Sequence, residues 1–505
     1  MHHFRIYLTA IILLNFSAVS AQDYTETALL FSRTHPGGSA RILGLGGSQT
    51  ALGGDYSSAL SNPAGLGMFN RSEFTFSLGL ADHQTSANYL GTHSDDNRSV
   101  FNIPGISYVW HMPKQNDQSF YGGSLGISLS RVNDFNRSTF YQGDNDQNSI
   151  IDFFIEQANG QNTDQFFEGG SNYNTPAGLA YFNYLIGPKS ILPEPGPDDE
   201  YFTDATYPYQ QEQIVAKGAA NQWSISYGGN VNDIFFFGGG IGITSLRYES
   251  QKIFSEDFAG DVDLEATQLV ENLNIRGSGF NATFGAIVRP VNSFQIGISY
   301  TTPTYYGLTE TYDASMWSRC NNFDYYGDGE TILGDNSNDP EETEIITSDY
   351  NFTAPMKLRG GIAFISEYGF ITGDVELVNP SKAKYSSRNS GISFAGDNES
   401  IQGVYQPVVN YRLGAEFRHK AFRFRAGYGI EGNTFKEEFD VDNTIRSVSG
   451  GAGIKTKKFY VDLAVVHRSG NEYQYQPYTF SDGSGPVADI RNKTLMGVLT
   501  VGFSF

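Results

Sequence analysis

One cysteine, Cys320, stands alone in 505 residues. A single thiol can build neither an internal disulfide framework nor a thiolate metal centre, since both need paired cysteines at short spacings. Basic residues are scarce too, 33 against 55 acidic ones, for a formal net charge of −22. Nucleic-acid partners are excluded on that ground, because phosphate binding needs a basic footprint. Past the opening residues there is no apolar run of the length a membrane helix needs, about 20 residues. The mean hydropathy of −0.34 suits a soluble chain, and equally one whose strands alternate between a lipid face and a lumen face. Serine, histidine and aspartate are too scattered to nominate a triad. His35, His83, His93, His111, His419 and His467 show no metal-ligand spacing. No enzyme, metal or cofactor is expected.

What is abundant points to β-structure. Glycine (57), tyrosine (31) and phenylalanine (38) are spread along nearly the whole chain, with no obvious linker. Aromatic residues suit a pleated, half-buried surface. The uniformity favours one large sheet over the two or three domains that the length alone suggests. The opening residues indicate the compartment. Met1 to Arg5 is weakly basic, Ile6 to Ala18 is mostly apolar, and Val19-Ser20-Ala21 gives a small-x-small pattern. These features predict a signal peptide over 1–21, cleaved after Ala21, with residues 22 onward secreted.

The last segment shows the strand pattern most clearly. Leu495, Gly497, Leu499, Val501, Phe503 and Phe505 alternate with Met496, Val498, Thr500, Gly502 and Ser504, which is the period of two of a strand with unlike faces. In 411–417, 422–430 and 459–467 one face is apolar and the other carries Arg412, Glu416, Arg423, Arg425 and Asp462. Charge opposite an apolar face, strand after strand, is the inside-out arrangement of a transmembrane barrel, where a lipid-facing Arg or Lys costs about 2–4 kcal/mol at midplane. Candidate strands begin near residues 72, 103, 120, 219, 234, 270, 292, 347, 357, 368, 404, 421, 443, 458 and 490. Merging 347 and 357 across Pro355 predicts an all-β, antiparallel barrel of fourteen strands over 72–505. Short turns near 231, 291, 367, 419 and 456 then mark the periplasmic rim. Two polar inserts, 135–218 and 311–346, are expected outside the cell, the first with helical pieces at 149–157 and 176–185. Inward charges Arg359, Asp374, Glu376, Arg412, Glu416, Arg423, Arg425 and Asp462 are expected to form a lumen ion network. Asp324, Asp328, Gly329 and Asp335, like Asp144, Asp146 and Asn148, are partial calcium-loop matches that read as solvated loops, with Tyr326 at a ligand position in the first.

Residues 22–71 do not read as strand. They are Gly-rich, with apolar pieces at 28–31 and 51–52, and are expected to fold into the lumen as a hatch. At Ser61-Asn62-Pro63-Ala64-Gly65-Leu66, just before the first strand, the chain resembles the FadL/TodX family of outer-membrane channels for fatty acids and aromatic hydrocarbons. Met68-Phe69-Asn70-Arg71 is similar to that family's exit into its first strand, with Asn70 where an acid is expected. The terminal Phe505 resembles the signal read by the bacterial barrel-assembly machinery.

The resemblance implies an N-terminal hatch, with Asn62, Pro63 and Ala64 as its motif, inside a fourteen-stranded barrel of a Gram-negative outer membrane. It also implies uptake of hydrophobic small molecules such as long-chain fatty acids, with lateral release at a kink in the third strand. The matching strand is Phe120 to Arg131, where Gly122, Gly123 and Gly126 are the expected kink residues. Membrane lipids and hydrophobic small molecules are the expected partners of a monomer. A secretion-machinery partner is the alternative, and an open general porin the third.

Overall fold

The computed structural model describes residues 24–113, 120–188, 201–203, 205–258, 260, 263–327, 329–389 and 391–505. The predicted signal peptide and Asp328 lie outside the described residues. Three short helices, α1 (Tyr24–Ser32), α2 (Ala40–Leu43) and α3 (Ser58–Ser61), come first. Fourteen antiparallel strands then close into a barrel. They are β1 (Glu73–Tyr89), β2 (Thr92–Pro113), β3 (Phe120–Asp134, continued by Arg137–Asp144), β4 (Tyr209–Val231) and β5 (Phe235–Asp257). Then come β6 (Leu264–Val291), β7 (Phe294–Thr301, continued by Thr304–Asp324), β8 (Ile346–Ala354 and Lys357–Ser366) and β9 (Gly369–Val378, continued by Lys384–Ser386). Last are β10 (Val408–His419), β11 (Phe422–Glu431), β12 (Ile445–Lys455), β13 (Phe459–Tyr475) and β14 (Ala488–Ser504). β1 pairs with β14 from Glu73↔Ser504 to Tyr89↔Ala488, which closes the ring and removes the edges that lipid would not tolerate.

The side-chain parity is the one the sequence predicts. Leu413, Phe417, Phe424, Leu463, Leu495 and Phe503 point outward and are exposed, while Asp374, Glu376, Arg412, Glu416, Arg425 and Asp462 are buried on the inner side. One rim has short turns. At Val231–Ile234 the Ile234 N–H donates to Val231 O while Asn232 and Asp233 take φ of 57° and 55°, the mirror-image turn that matches strand twist.

The strands rise further toward the opposite rim than expected. β2 begins at Thr92 rather than near 103, and β4 at Tyr209 rather than near 219. Residues 135–218, expected as one insert, lose 137–144 and 209–218 to the ladder between β3 and β4. Likewise 311–320, placed in the second insert, extend β7 against β6. β4, β5 and β6 are 23, 23 and 28 residues long, against the about 9–11 that cross a bilayer, so their far halves stand clear of it.

The two helical pieces of the first insert are present as α4 (Ile150–Ala158) and α5 (Pro176–Phe182). Ser149 and Asp152 form a capping box, and Glu256 of β5 accepts from the Ser149 hydroxyl and from Ile150 N (2.9 Å), tying the loop to the wall. Phe154 and Phe166 join Phe31, Phe135, Phe352, Tyr385 and Tyr405 in one buried apolar cluster beneath the loops.

Replacing Leu463, 52% exposed on the lipid face, by Arg should lower folding free energy in bilayers by about 2–4 kcal/mol. Denaturant titration of heat-modifiable mobility measures it. A loss below about 0.5 kcal/mol would place that face in water.

Candidate functional site

Residues 24–69 contain only short regular pieces: α1, α2, α3 and a 3-10 turn at Pro63–Met68. Short turns leave terminal N–H and C=O groups without internal partners. Here the inner wall supplies them. Asp374 of β9 accepts from Gln49 N (2.7 Å), Thr50 N (2.8 Å) and Thr50 Oγ1 (2.8 Å). Ala40 N donates to Thr500 on β14 (2.7 Å), Gly46 N to Ser449 on β12 (3.0 Å), and Ser226 on β4 donates to Ala59 O (2.9 Å).

The Asn-Pro-Ala triplet sits at the tightest of these approaches. Asn62 Oδ1 accepts from Ala64 N (3.2 Å), capping the 3-10 turn. Its Nδ2 donates to Thr50 O (2.7 Å) and reaches Ala286 O on β6 and Ile298 O on β7 (3.4 Å each). Pro63 follows at the first turn position, where no N–H is required. The wall is bare beneath it. Gly228, Gly238 and Gly285 stand opposite one another across β4, β5 and β6. A Cβ on Gly238 would strike the Pro63–Ala64 peptide, and one on Gly285 the Asn62 amide. Gly297 and Gly361 form a second such pair beneath Thr50 and Ala51, and Gly414 and Gly427 a third beneath Leu45 and Gly46. These rows escaped the sequence reading. Glycines with inward parity on adjacent strands were the available signal.

The lumen charges fall into two clusters. Glu376 receives Arg359 (2.6 Å) and Arg412 (2.9 Å). Nearer the short-turn rim, Arg425 spans Glu416 (2.8 Å) and Asp462 (2.6 Å), and Arg418 also meets Glu416 (2.7 Å). Two expected members behave differently. Asp374 binds N-terminal backbone as described, and Arg423 donates to Lys420 O and Phe422 O at the rim. The N-terminal segment adds Arg41, 3.7 Å from Glu416 and 3.9 Å from Asp55, and His35, 3.0 Å from Glu431. Among the described residues no group of His, Cys, Asp and Glu converges as a metal site.

The third strand keeps its pairing with β4 and is irregular in two places, at Gly122 and past Arg131. Gly122, at φ +94°, lies in a bulge, yet Gly123 and Gly126 pair with β2 and β4 alike. Their bare faces admit Tyr227 and Leu66. The ladder between β2 and β3 ends higher, at Gly105↔Ser130. Next along β2 is Pro104, which has no N–H to leave unpaired. Past Arg131 the β3 register shifts, and residues 137–144 lie across the inward face of β1 and β14. Tyr141 packs on Tyr89 with ring centroids 4.5 Å apart. The far half of β2 therefore has no ladder on its β3 side among the described residues. Its lower part, at Phe101 and Ile103, is exposed and apolar.

The N-terminal segment fills the inner side of this break. His35 N donates to Val132 O (3.1 Å), and Asn133 Nδ2 donates to Leu30 O and Arg33 O (2.8 Å each). Beside it opens a narrow pocket with a mixed apolar and charged lining. Its lining includes the apolar Phe31, Leu60, Val132 and Tyr306 and the charged Lys357, Arg359, Asp374, Glu376 and Arg412.

Asn62→Ala removes a buried amide and should weaken seating of residues 24–69 by about 1–3 kcal/mol. Trypsin cleavage after Arg33 and Arg41 should rise about tenfold or more, tenfold being about 1.4 kcal/mol, while the barrel keeps its heat-modifiable mobility. Gly238→Leu should do the same by steric exclusion. Unchanged cleavage in both would show that the segment is held elsewhere.

No protein-family model and no curated protein matches the chain. Solved structures do. A FadL homologue of Pseudomonas aeruginosa superposes with a TM-score of 0.53 at 12% identity, covering 94% of this chain and 99% of its own. The toluene transporters TodX of P. putida and TbuX of Ralstonia pickettii each give 0.50, at 11% and 13% identity, covering 93% of this chain and 99% of their own. At such identities the likeness is one of architecture: this chain has the fourteen-stranded barrel fold of the FadL/TodX channels.

Proposed function

We propose that the protein is a FadL/TodX-type channel of a Gram-negative outer membrane, taking up hydrophobic small molecules and releasing them sideways into the bilayer. One observation carries this reading: Val132 both lines the lumen cavity and adjoins the break between β2 and β3. A molecule in that cavity has a short way to the wall. An apolar solute gains about 0.8 kcal/mol per CH₂ withdrawn from water, so a door to lipid serves it better than a wet pore. Residues 22–71 act as the hatch, with Asn62, Pro63 and Ala64 fixing it to the wall, and the long connections face the outside. The lining suits an apolar chain with a polar end, such as a long-chain fatty acid, its tail along Phe31, Leu60 and Val132 and its head toward Lys357, since Arg359 is already paired with Glu376. The exit assigned to Gly122, Gly123 and Gly126 moves to the segment beyond Ser130. The chain works as a monomer, and Phe505 hands it to the assembly machinery.

A docking role has one observation in its favour, the exposed Phe167, Tyr184 and Tyr326 on the long loops. Uptake of labelled fatty acid into cells separates the two. In a Cys320→Ser background, a disulfide bridging β2 above Gly105 to β3 beyond Ser130 should abolish uptake when oxidised and restore it when reduced. Uptake that ignores the bridge removes lateral exit. Uptake absent from the unmodified protein, together with binding of a partner through the loop aromatics, favours docking.

A further inference from the structure

On the outward face of β5 and β6 the chemistry changes in a fixed order away from the short turns. Ile241 and Ile243, with Phe280 and Phe284, are exposed and apolar, and Ile243 stands opposite Phe280. Four residues farther along β5, Arg247 stands directly opposite Arg276 of β6, both side chains 61% exposed. At about 3.4 Å per residue this pair lies roughly 13 Å beyond Ile243. Two residues further, Glu249 faces Lys217 of β4 and Asn274 of β6. There the surface sinks into a polar groove lined by Lys217, Gln251, Asn272, Asn274 and Asp313 among others.

Like charges directly opposite across a ladder are destabilising, and this chain has few basic residues to place. Glu249 offsets only part of the cost. It accepts from Arg247 Nε (2.9 Å) and Nη2 (2.5 Å) and lies 3.6 Å from Arg276. One carboxylate thus serves two guanidiniums, and Lys217 adds a third cation nearby. The far halves of these strands are clear of the bilayer, so the pair stands at or just above the headgroup level.

We propose that this face binds one phosphorylated glycolipid of the outer leaflet. Its acyl chains lie along Ile241, Ile243, Phe280 and Phe284. A phosphate sits between Arg247 and Arg276, whose planar donors suit phosphate oxygens. Its sugar hydroxyls enter the groove of amides and carboxylates above. The order along the strand, apolar then cationic then amide-rich, is the order of groups in such a lipid. A plain phospholipid would satisfy the first two and leave the groove unused. The site is independent of what the lumen carries and rests only on the long connections facing outward.

The test uses the full-length protein in detergent, titrated with diphosphorylated lipid A, dephosphorylated lipid A or phosphatidylglycerol and read by native mass spectrometry. One phosphorylated glycolipid per barrel is expected, bound at least about tenfold more tightly than either comparison lipid. R247E/R276E should lose that preference, and N272A/N274A should lower affinity for the glycolipid but not for phosphatidylglycerol. R247Q/R276Q replaces the first variant if heat-modifiable mobility shows that it fails to fold. Equal binding of phosphatidylglycerol, equal binding by the arginine variant, or full displacement by millimolar inorganic phosphate would each overturn the proposal.

Discussion

The structure depends on how closely an irregular backbone can approach the inside of a closed sheet. Residues 24–69 have too little helix to satisfy themselves, and every buried N–H and C=O they leave open carries a cost. The wall can supply partners only where its own side chains stand aside. At Gly228–Gly238–Gly285 it presents backbone alone, so Asn62 reaches carbonyls on β6 and β7 while Pro63 and Ala64 lie flat beneath it. The neighbouring positions that do carry side chains are short acceptors and hydroxyls: Asp374, Ser449, Thr500 and Ser226. Bare rows and short polar groups together act as a template. A single methyl in the wrong place would displace the segment, whereas the same change on the lipid face would only enlarge an already exposed surface.

The barrel was legible because lipid enforces parity. Within the apolar belt the strands have an outward face of Leu, Ile and Phe and an inward face of small, polar or charged residues, and that contrast yields both strand count and lumen side chains. Beyond the belt the contrast disappears. Outward Arg247, Glu249 and Gln251 are as polar as many inward residues, so the far parts of β4 and β7 resemble loop in sequence although their ladders are unbroken. The ion network was half legible for a similar reason. Parity reveals which carboxylates face inward, but Asp374 is claimed by Gln49 and Thr50, residues more than 300 positions away, and no local pattern announces them.

The third strand illustrates the same limit. Gly122, Gly123 and Gly126 read as the place for a kink, yet beyond the bulge at Gly122 the bare faces of Gly123 and Gly126 make room for the Tyr227 ring and Leu66 while both stay paired on either side. The break falls where three unrelated features coincide. Pro104 lacks a donor, the strand shifts register after Arg131, and His35 takes the carbonyl of Val132. Each alone is compatible with a continuous sheet.

That coincidence couples the two halves of the molecule. Asn133 holds Leu30 O near the end of α1 and Arg33 O just past it, while Phe31 of the same helix packs on Phe135 and Phe352 with centroids 5.7 and 6.1 Å apart. α1 is thus fixed at one end to β3 past Arg131 and along its side to the aromatic cluster beneath the loops. Its start is held too, because Tyr24 lies edge-on against Tyr350, Tyr385 and Phe394. The aromatic cluster and the break are therefore contacted by the same short stretch of chain. The helix between them spans nine residues, and the segment after it satisfies Val132 through His35 N. Loop cluster, helix and wall break form one connected element, joined by the hydrogen bonds to Leu30 O and Arg33 O and by the ring contacts of Phe31.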